Sequence, residues 1–396
     1  MTQREVALNI IYKTIHDESY SNLLMRKELS QLPVIQRSFC TNLVNEVLRK
    51  YEILNFQFKE HIKKNTSLKT RIILCMAMYE KFYLKEKDYA VNNEYVKLAS
   101  SKYEKSFVNA VLHNTDTFKE SDEEDVNANL PKWIYSLLKA QYSIDELEKI
   151  VKGFQKVPEV YYRINRNKCT KATLDNLNVN WINEDIFTSD RNMINTTLYK
   201  DGYFYVQDLN SASLYKYLDL KEDDIFLDMC SAPGSKLFNC LDIVKEENAY
   251  GNDVHESRVE LIRKMAEKLG YKNINLFCKD GRKIKDITDI RFDKILLDAP
   301  CSGLGVINRK PDLKFHIKPE SLDELEVLQS ELLDSALSLL KDKGTILYST
   351  CTLNKKENSK QVNSFLKRYP DFMLEEENTI INELGDCFYY AKLRKA

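Results

Sequence analysis

The sequence contains little glycine, with 10 such residues among 396, whereas average usage of about 7% would give roughly 28. Three of the ten, Gly234, Gly303 and Gly305, fall in two short motifs, DMCSAPGSK and DAPCSGLG. Because glycine permits tight turns and close backbone approach, both motifs are candidate functional loops. Neither motif matches GxGxxG or a Walker A loop, which argues against NAD binding and against a P-loop phosphate site.

The sequence also lacks a long hydrophobic run. The longest uninterrupted one, Ile72–Tyr79, is far shorter than the ~18 residues that a membrane-spanning helix needs. The first residues, MTQREVALNI, have neither the apolar stretch nor the cleavage site of a signal peptide. The nine cysteines are scattered without a CxxC pair, which argues against a metal site or a disulfide framework. We therefore expect a cytoplasmic protein with reduced thiols.

The chain has no excess of charge of either sign, since 59 basic residues face 60 acidic ones and the net charge is −1. A nucleic-acid partner would therefore have to bind a local basic face rather than follow a global field. Apolar residues make up 43% of the chain, which is enough for packed cores and excludes disorder over most of the length. The length itself predicts two or three domains.

Residues 1–125 are predicted to form an all-α bundle. Ala7, Ile11 and Ile15 recur at helical spacing, and no alternating strand pattern interrupts the region. Further helices are predicted at Arg37–Ile53, Lys69–Tyr83, Ala90–Ser100 and Ser106–His113. The charged segment Lys119–Asp125 has no apolar residue, which is typical of a solvated linker at the end of this domain.

Two further segments follow. Residues 126–220 have a mixed pattern that predicts a small α+β subdomain, whereas residues 221–396 alternate short apolar strands with helices. The predicted strands are Ile225–Leu227, Asn248–Gly251, Ile274–Phe277, Ile295–Leu297 and Ile346–Tyr348, and the longer helices are Arg258–Leu269 and Ser321–Leu340. This alternation predicts a C-terminal α/β domain with a parallel, Rossmann-like sheet.

The first predicted strand of that domain leads into the loop Asp228–Lys236. Doubly wound sheets bind ligands at the loop between the first strand and the first helix. Pro233 stiffens the turn, and Gly234 lets the backbone approach a ligand closely. An ordinary tight turn, with Lys236 as a solvated lysine, is the alternative interpretation.

Aspartates stand at the ends of successive predicted strands, as Asp228, Asp253, Asp280 and Asp298. Asp253 follows Asp228 by 25 positions, close to the ~20-residue spacing at which a carboxylate reaches a ribose. A single aspartate of this kind is usually a helix N-cap. Four at one edge of a sheet favour a nucleoside-containing cofactor.

Two of the nine cysteines are predicted at the same edge. Cys301 follows the fourth strand in DAPCSG, and Cys351 follows the fifth in YSTCT. Free cysteines are mostly small buried hydrophobes, and we expect this of most of the other seven. Beside a cofactor site, however, a thiolate can act as a nucleophile.

The motifs DMCSAPGSK, DAPCSGLG and YSTCT, in this order, resemble the Sun (Fmu) family of RNA 5-methylcytosine methyltransferases, which carry paired Pro-Cys and Thr-Cys motifs. RSFCTNLVNEVLRKYEIL, AVNNEYVKLA and FVNAVLHN are similar to the NusB-like domain of the members that act on 16S rRNA, and YYRINRNKCT and Val206–Asp208 fit their middle region. The resemblance covers nearly the whole chain. It departs at Ser235, where the family has a second glycine, and in the shortened segment NTIINELGDCFYYAKLRK, which bears on the substrate groove.

This resemblance implies a class I methyltransferase domain that transfers a methyl group from S-adenosylmethionine to C5 of a cytosine in 16S rRNA. It assigns Cys351 as the thiolate that adds to C6 and so makes C5 nucleophilic. Cys301 would assist proton removal and product release, and Asp298 would hydrogen-bond the cytosine edge. In DNA cytosine methyltransferases the Pro-Cys thiol attacks, and this reverse assignment remains an alternative.

The resemblance also implies the cofactor contacts. The residues that would surround its methionine end are Cys230, Ser231, Ala232, Pro233, Gly234, Ser235 and Lys236. Asp253 would hold the ribose, Asp280 would lie near the adenine, and Asp298 could also line the pocket.

The target base must leave its stack before a thiol can reach it, so single-stranded or loop RNA is the expected partner. Candidate phosphate contacts, each alternatively a solvated charge, are Arg163, Arg166, Lys168, Arg309, Lys310 and Lys314. Two alternatives remain: the same chemistry on transfer RNA or another ribosomal cytosine, and a non-catalytic RNA-binding assembly factor. The presence of both cysteines disfavours the second. We expect a monomer.

Overall fold

The computed structural model describes residues 1–382 and 386–396. These residues form two compact units. The first comprises residues 1–157 and 306–318, and the second comprises residues 158–305, 319–382 and 386–396. Among the described residues, no helix combines the length and the apolar character needed to cross a membrane.

The first unit is helical. Its helices are α1 (Gln3–His16), α2 (Ser21–Glu28), α3 (Val34–Arg49), α4 (Tyr51–Gln57), α5 (Leu68–Phe82), α6 (Asp88–Leu98), α7 (Lys102–Asn114), α8 (Glu124–Asn127), α9 (Lys132–Gln141) and α10 (Ile144–Gln155). A short helix at Leu313–His316 also belongs to this unit. The apolar run Ile72–Tyr79 lies in α5 and is buried along its whole length, so α5 forms the centre of the core. Thr2 and Glu5 form a capping box that begins α1.

Two expectations for this region differ from the structure. The predicted helix Arg37–Ile53 is interrupted at Lys50, whose φ and ψ of −101° and 17° separate α3 from α4. Most acidic side chains of the segment Lys119–Asp125 are exposed, as expected, but the segment is attached to the helical bundle. The backbone amide of Lys119 donates to Oε1 of Gln57 at 2.7 Å, and Ser121 is buried. Glutamate side chains of this segment are matched by lysines, as in the Lys59–Glu123 ion pair.

The predicted boundary at 125/126 also differs from the observed grouping, because residues 126–157 belong to the helical unit. The predicted α+β subdomain corresponds to a smaller part of the second unit. Its antiparallel sheet has the order β2-β3-β1-β4, from strands β1 (Tyr162–Ile164), β2 (Asn180–Trp181), β3 (Ile186–Thr188) and β4 (Phe204–Val206). Short helices accompany it: α11 (Lys171–Leu174), α12 (Thr197–Lys200) and α13 (Leu209–Ser213).

The rest of the second unit is an α/β domain around a larger sheet. Its strands are β5 (Phe226–Asp228), β6 (Ala249–Asp253), β7 (Asn275–Cys278), β8 (Phe292–Asp298), β9 (Leu340–Thr350), β10 (Phe372–Ile380) and β11 (Phe388–Lys395), and its helices are α14 (Ser235–Cys240), α15 (Glu256–Leu269), α16 (Pro319–Leu339) and α17 (Ser359–Arg368). Among the described residues the strand order is β10-β11-β9-β8-β5-β6-β7. Strands β5 to β9 pair in parallel, whereas β11 is antiparallel to both of its neighbours. The parallel part confirms the predicted Rossmann-like class I methyltransferase architecture, whereas the antiparallel strands β10 and β11, which the sequence pattern did not predict, make the sheet mixed.

The strand order changes direction at β5, which pairs with β6 on one side and with β8 on the other. Open α/β sheets bind ligands in the crevice at the carboxyl ends of the strands at such a point. Asp228 and Asp298, the last residues of β5 and β8, therefore lie at the position where a ligand is expected.

The five predicted strands of this sheet are all observed, with ends shifted by one to six residues. The charged strand β10 was not predicted, because Glu375, Glu376 and Glu377 conceal its apolar alternation. Strand β11 lies between β10 and β9 and is buried on both faces, Lys392 included. Lys392 is tolerated there because it pairs with Asp219 and Glu375.

Gly305 connects two parts of this domain at very close range. Its amide donates to the carbonyl of Cys351 at 3.0 Å, and its carbonyl accepts from the amide of Cys387 at 2.8 Å. A Cβ atom at position 305 would lie 2.4 Å from the Cys387 carbonyl oxygen and 2.8 Å from that of Cys351. Because both obstacles are backbone atoms, a side chain cannot be accommodated by a change of rotamer.

We expect Gly305→Ala to lower the free energy of unfolding by about 1–3 kcal/mol, the usual range for overpacking. Urea denaturation followed by circular dichroism measures this. The control is Gly270→Ala at the end of α15, where the added methyl group meets only the end of the Lys168 side chain and the left-handed backbone alone costs about 1 kcal/mol. A Gly305→Ala protein as stable as wild type would contradict the prediction.

Candidate active site

The loop between β5 and α14 is held by backbone hydrogen bonds, one of them to β6. The amide of Ser231 donates to the Asn252 carbonyl at 2.8 Å, and the amide of Gly234 donates to the Ser231 carbonyl at 2.7 Å. Gly234 has φ of 101°, and a Cβ there would lie 2.7 Å from the ring of Phe238. The tight turn thus requires glycine at this position, and it places Lys236 in the first turn of α14.

Asn252 is a site residue that the sequence analysis missed. Its side-chain amide donates to the carbonyls of Met229 at 3.0 Å and Lys279 at 2.9 Å, and its oxygen accepts from the Lys279 amide at 3.1 Å. These bonds join the carboxyl ends of β5, β6 and β7. Asn252 immediately precedes Asp253 in the sequence, but an asparagine inside a strand gives no signal of such a bridging role.

Asp228 is almost completely buried, with 1% of its surface exposed. Within the described residues neither of its carboxylate oxygens, nor the hydroxyl of the buried Ser231, makes a hydrogen bond of regular geometry, although the Ser231 hydroxyl and the Cys230 amide lie near enough to lower the pKa of Asp228. Burial raises the pKa of the Asp228 carboxyl to about 7, an effect that Lys236 opposes and Asp298 reinforces. Unpaired buried polar atoms are costly, so this group is suited to receive a cationic or hydrogen-bond-donating ligand.

Lys236 and Asp298 form an ion pair at the crevice. Lys236 Nζ lies 2.6 Å from Asp298 Oδ2, and the Ser349 hydroxyl donates to Asp298 Oδ1 at 2.9 Å. Burial alone would lower the pKa of Lys236, but the neighbouring Asp298 carboxylate outweighs it and the pKa is raised. Lys236 is therefore not the solvated lysine of the alternative interpretation.

The other two strand-end aspartates differ in their surroundings. Asp253 is buried at the end of β6 and accepts from the amide of His255 at 3.1 Å. Asp280 accepts from the amide of Arg282 at 3.0 Å and binds its guanidinium group, and this hydrogen bonding lowers the pKa of Asp280. Asp280 thus caps the short helix that follows it, as the alternative interpretation proposed. The contacts of Asp253 with the ribose and of Asp280 with the adenine stay predictions.

Cys301 and Cys351 lie side by side, with their sulfur atoms 3.4 Å apart. Both cysteine residues are half-buried. A hydrogen bond that the Cys301 thiol donates to Cys351, together with burial, raises the pKa of Cys301 well above its ordinary value. Most of the other seven cysteines are buried, as expected: Cys40, Cys75, Cys169, Cys240 and Cys387. Cys230 is half-buried, and Cys278 is exposed.

Several proposed phosphate contacts have structural roles instead. Arg163 is buried and donates to Asp242 at 2.7 Å, whereas Arg166 makes a bidentate pair with Asp185. Their charges are neutralised inside the second unit, so Arg163 is not a phosphate contact and Arg166 is already engaged.

Among the lysines and the remaining arginine, some side chains have internal partners and others are more exposed. Lys168 Nζ donates to the carbonyls of Asp201 and Lys268. Lys314 is buried, and its ammonium group donates to the carbonyls of Arg49 and Asn129, which overturns its assignment as a phosphate contact. Arg309 is half-buried and Lys310 is exposed.

Two family models match the chain. Residues 215–394 match the model described as 16S rRNA methyltransferase RsmB/F, and residues 1–117 match the NusB family. The first match contains the loop Asp228–Lys236 and both paired cysteines.

Curated relatives match over most of the length. A probable ribosomal RNA small subunit methyltransferase B from Bacillus subtilis (strain 168) is 31% identical, over 93% of this chain and 89% of the relative. The ribosomal RNA small subunit methyltransferase B of Enterobacter sp. (strain 638) is 33% identical, over 70% of this chain and 68% of its own length.

Solved structures share the fold. The structure of PH0851 superposes with a TM-score of 0.80 at 21% identity, over 100% of this chain and 99% of that one. NSun6 from Pyrococcus horikoshii, solved with SFG, gives a TM-score of 0.59 at 22% identity, over 67% of this chain and 98% of the other.

The buried Asp228 carboxyl generates a prediction about stability and pH. Its pKa of about 7 in the folded chain exceeds its ordinary value of 3.8, so between these values the folded state holds a proton that the unfolded state has lost. The stability contribution is therefore full below about pH 4 and is lost as the pH rises through 7. At about 1.36 kcal/mol for each pH unit, the loss is at most on the order of 4 kcal/mol.

We therefore expect Asp228→Asn to become more stable than wild type as the pH is raised from 5 to 8. Urea denaturation of both proteins at several pH values measures this difference, and comparing the two cancels the titration of other groups. A difference that does not change with pH would contradict the burial of an unpaired Asp228 carboxylate.

Proposed function

The chain belongs to the RsmB/F family of 16S rRNA methyltransferases, and we propose that it transfers a methyl group from S-adenosylmethionine to C5 of a cytosine in 16S rRNA through a covalent cysteine adduct. The observation that carries the proposal is the pair of thiols 3.4 Å apart. They follow β8 and β9 at the same edge of the sheet as the Asp228 loop. A non-catalytic assembly factor would have no chemical need for two adjacent thiols at this position.

The residues of the crevice fit S-adenosylmethionine. The unpaired Asp228 carboxyl and Ser231 hydroxyl are suited to its methionine ammonium and carboxyl groups. The loop from Cys230 to Lys236 would surround this end, Asp253 would hold the ribose, and Asp280 would lie near the adenine. When bound, the cofactor supplies an electrophilic methyl group on a sulfonium centre.

Cys351 is proposed as the nucleophile. C5 of cytosine is a weak nucleophile, and addition of a thiolate at C6 saturates the 5,6 bond and places electron density on C5. Lys236 lies close enough to interact electrostatically with Cys351, and a neighbouring ammonium group favours the thiolate form. Within the hydrogen-bonded thiol pair only one sulfur has to lose its proton, and the raised pKa of Cys301 fits Cys351 as that sulfur. The reverse assignment is an outcome of the test below.

Cys301 is proposed to act after the methyl group has reached C5. The C5 proton must then leave, its electron pair re-forms the 5,6 double bond, and the C6–sulfur bond to Cys351 breaks. The Cys301 thiol passes its proton to the departing Cys351 sulfur, and the Cys301 thiolate that results, a strong base because its pKa is raised, takes the C5 proton. Asp298, fixed by Lys236 and Ser349, would hydrogen-bond the cytosine edge.

The first test uses unmethylated 16S rRNA, transfer RNA and S-adenosylmethionine labelled in its methyl group. Wild type should label 16S rRNA as 5-methylcytosine. Cys351→Ala should lose roughly 10³-fold or more in rate, as expected for removal of a nucleophile. Cys301→Ala should instead accumulate a protein–RNA adduct that survives denaturing electrophoresis.

The matched control is Cys169→Ala, which removes a buried thiol from the apolar core beside the antiparallel sheet and should retain activity. Activity that survives in Cys351→Ala would move the attack to Cys301 or contradict the thiolate mechanism. Label in transfer RNA but not in 16S rRNA would overturn the proposed substrate.

A second test concerns cofactor binding and pH. Because Asp228 has a pKa of about 7 in the free protein, its carboxylate form increases as the pH rises. We expect S-adenosylmethionine to bind severalfold more tightly at pH 7.5 than at pH 6, while its own amino group stays mostly protonated. Calorimetric titration measures both affinities. In Asp228→Asn the binding should be weaker and should lose this pH dependence, and a pH-independent affinity in wild type would contradict the role of Asp228.

A further inference from the structure

Glu357 belongs to the same loop as Cys351, between β9 and α17, and is completely buried, with 0% of its surface exposed. We propose that Glu357 is a positioning residue that holds the thiols of Cys301 and Cys351 side by side. Its relevance to catalysis rests on the proposed function, whereas its effect on the distance between the thiols does not.

One side of the Glu357 carboxyl group binds the loop that carries Cys301. Oε2 accepts from the backbone amide of Ser302 at 2.8 Å, and Oε1 accepts from the Ser302 hydroxyl at 2.6 Å. Ser302 directly follows Cys301, so two bonds fix the backbone and the side chain of the adjacent residue.

The same carboxyl group also binds other residues of its own loop, which carries Cys351. Oε1 accepts from the side-chain amide of Asn354 at 3.1 Å and lies 3.4 Å from the Thr352 hydroxyl. Thr352, which directly follows Cys351, is also 2.7 Å from the Ser302 hydroxyl. A continuous hydrogen-bonded path therefore joins the residues that follow the two cysteines.

Glu357 is itself fixed from two further elements. Gln329 of α16 donates to Oε2 at 3.0 Å and also to the carbonyl of Pro300 at 2.8 Å. The Tyr348 hydroxyl donates to the backbone carbonyl of Glu357 at 2.6 Å. All of these groups are buried or partly buried, so water does not readily replace a lost bond.

The side chain at position 357 has to offer a hydrogen-bond acceptor at both of its terminal atoms, as the two carboxyl oxygens of Glu357 do. The donors named above are neutral and converge on both oxygens of one carboxyl group. A glutamine at this position would place an NH₂ group against donors on one side, which leaves donors unpaired. The Glu357 charge also contributes to the raised pKa of Cys301, after the hydrogen bond to Cys351 and burial.

The test of positioning needs neither RNA nor cofactor. Dibromobimane fluoresces strongly only after it has bridged two neighbouring thiols, and Cys301→Ala gives the background. In the full chain we expect rapid bridging in wild type and bridging about tenfold or more slower in Glu357→Gln, since the amide leaves at least one buried donor unpaired. Glu357→Ala should be slower still.

The matched control is Asp185→Asn, because Asp185 is another buried carboxylate of the second unit, bound by Arg163 and Arg166. It should lose stability without any change in bridging rate. Equal loss in both variants would show that general loosening, not positioning, is responsible. Failure of wild type to bridge, or an unchanged rate in Glu357→Gln, would overturn the proposal.

An activity measurement then separates this proposal from the proposed function. Glu357→Gln should lower kcat and lengthen the lifetime of the covalent RNA adduct, with KM for S-adenosylmethionine unchanged, because the cofactor loop is not among its contacts. A kcat and an adduct lifetime equal to wild type would contradict a positioning role in catalysis. If wild type bridges its thiols but methylates no RNA, the proposed function fails and the positioning role stands.

Discussion

The parallel pairing of β5 with β6 on one side and with β8 on the other is the constraint on which the site depends. Parallel strands bring their carboxyl ends to one edge, and the change of direction at β5 opens a crevice there. The ends of β5, β8 and β9 deliver Asp228, Asp298 and the loop of Cys351 to this edge. Lys236 and Asp298, which are 62 positions apart, thus become neighbours.

The crevice carries charge that its surroundings only partly neutralise. Lys236 and Asp298 compensate one another at 2.6 Å, whereas the deeper Asp228 makes no hydrogen bond of regular geometry among the described residues. The domain stays folded despite the free-energy cost of burying the Asp228 carboxyl group, because most of a domain's stability comes from its apolar core. A buried carboxyl with a displaced pKa at the centre of a crevice is a common mark of a functional site.

The thiol pair depends on contacts of a different kind. Cys301 and Cys351 follow different strands, and their loops are joined by backbone bonds through Gly305 and by the carboxyl group of Glu357. Both connections are buried and specific in geometry, so the distance between the sulfur atoms is set by the packed structure. Rigid support of this type is what keeps reacting groups in productive positions.

Local patterns were sufficient to predict the helical bundle, the parallel strands and the three motifs with Asp228–Lys236, Cys301 and Cys351. Hydrophobic periodicity and loop composition depend on residues that are close together in the sequence. They were insufficient for β10, whose glutamates mask its alternation, and for Lys119–Asp125, which packs through Gln57. Local patterns also could not tell a phosphate-binding side chain from a structural one. Arg163 and Lys314 are buried by partners distant in the chain. The bridging roles of Asn252 and Glu357 likewise arise only when separate strands and loops meet, since a hydrogen bond across a fold has no local signature.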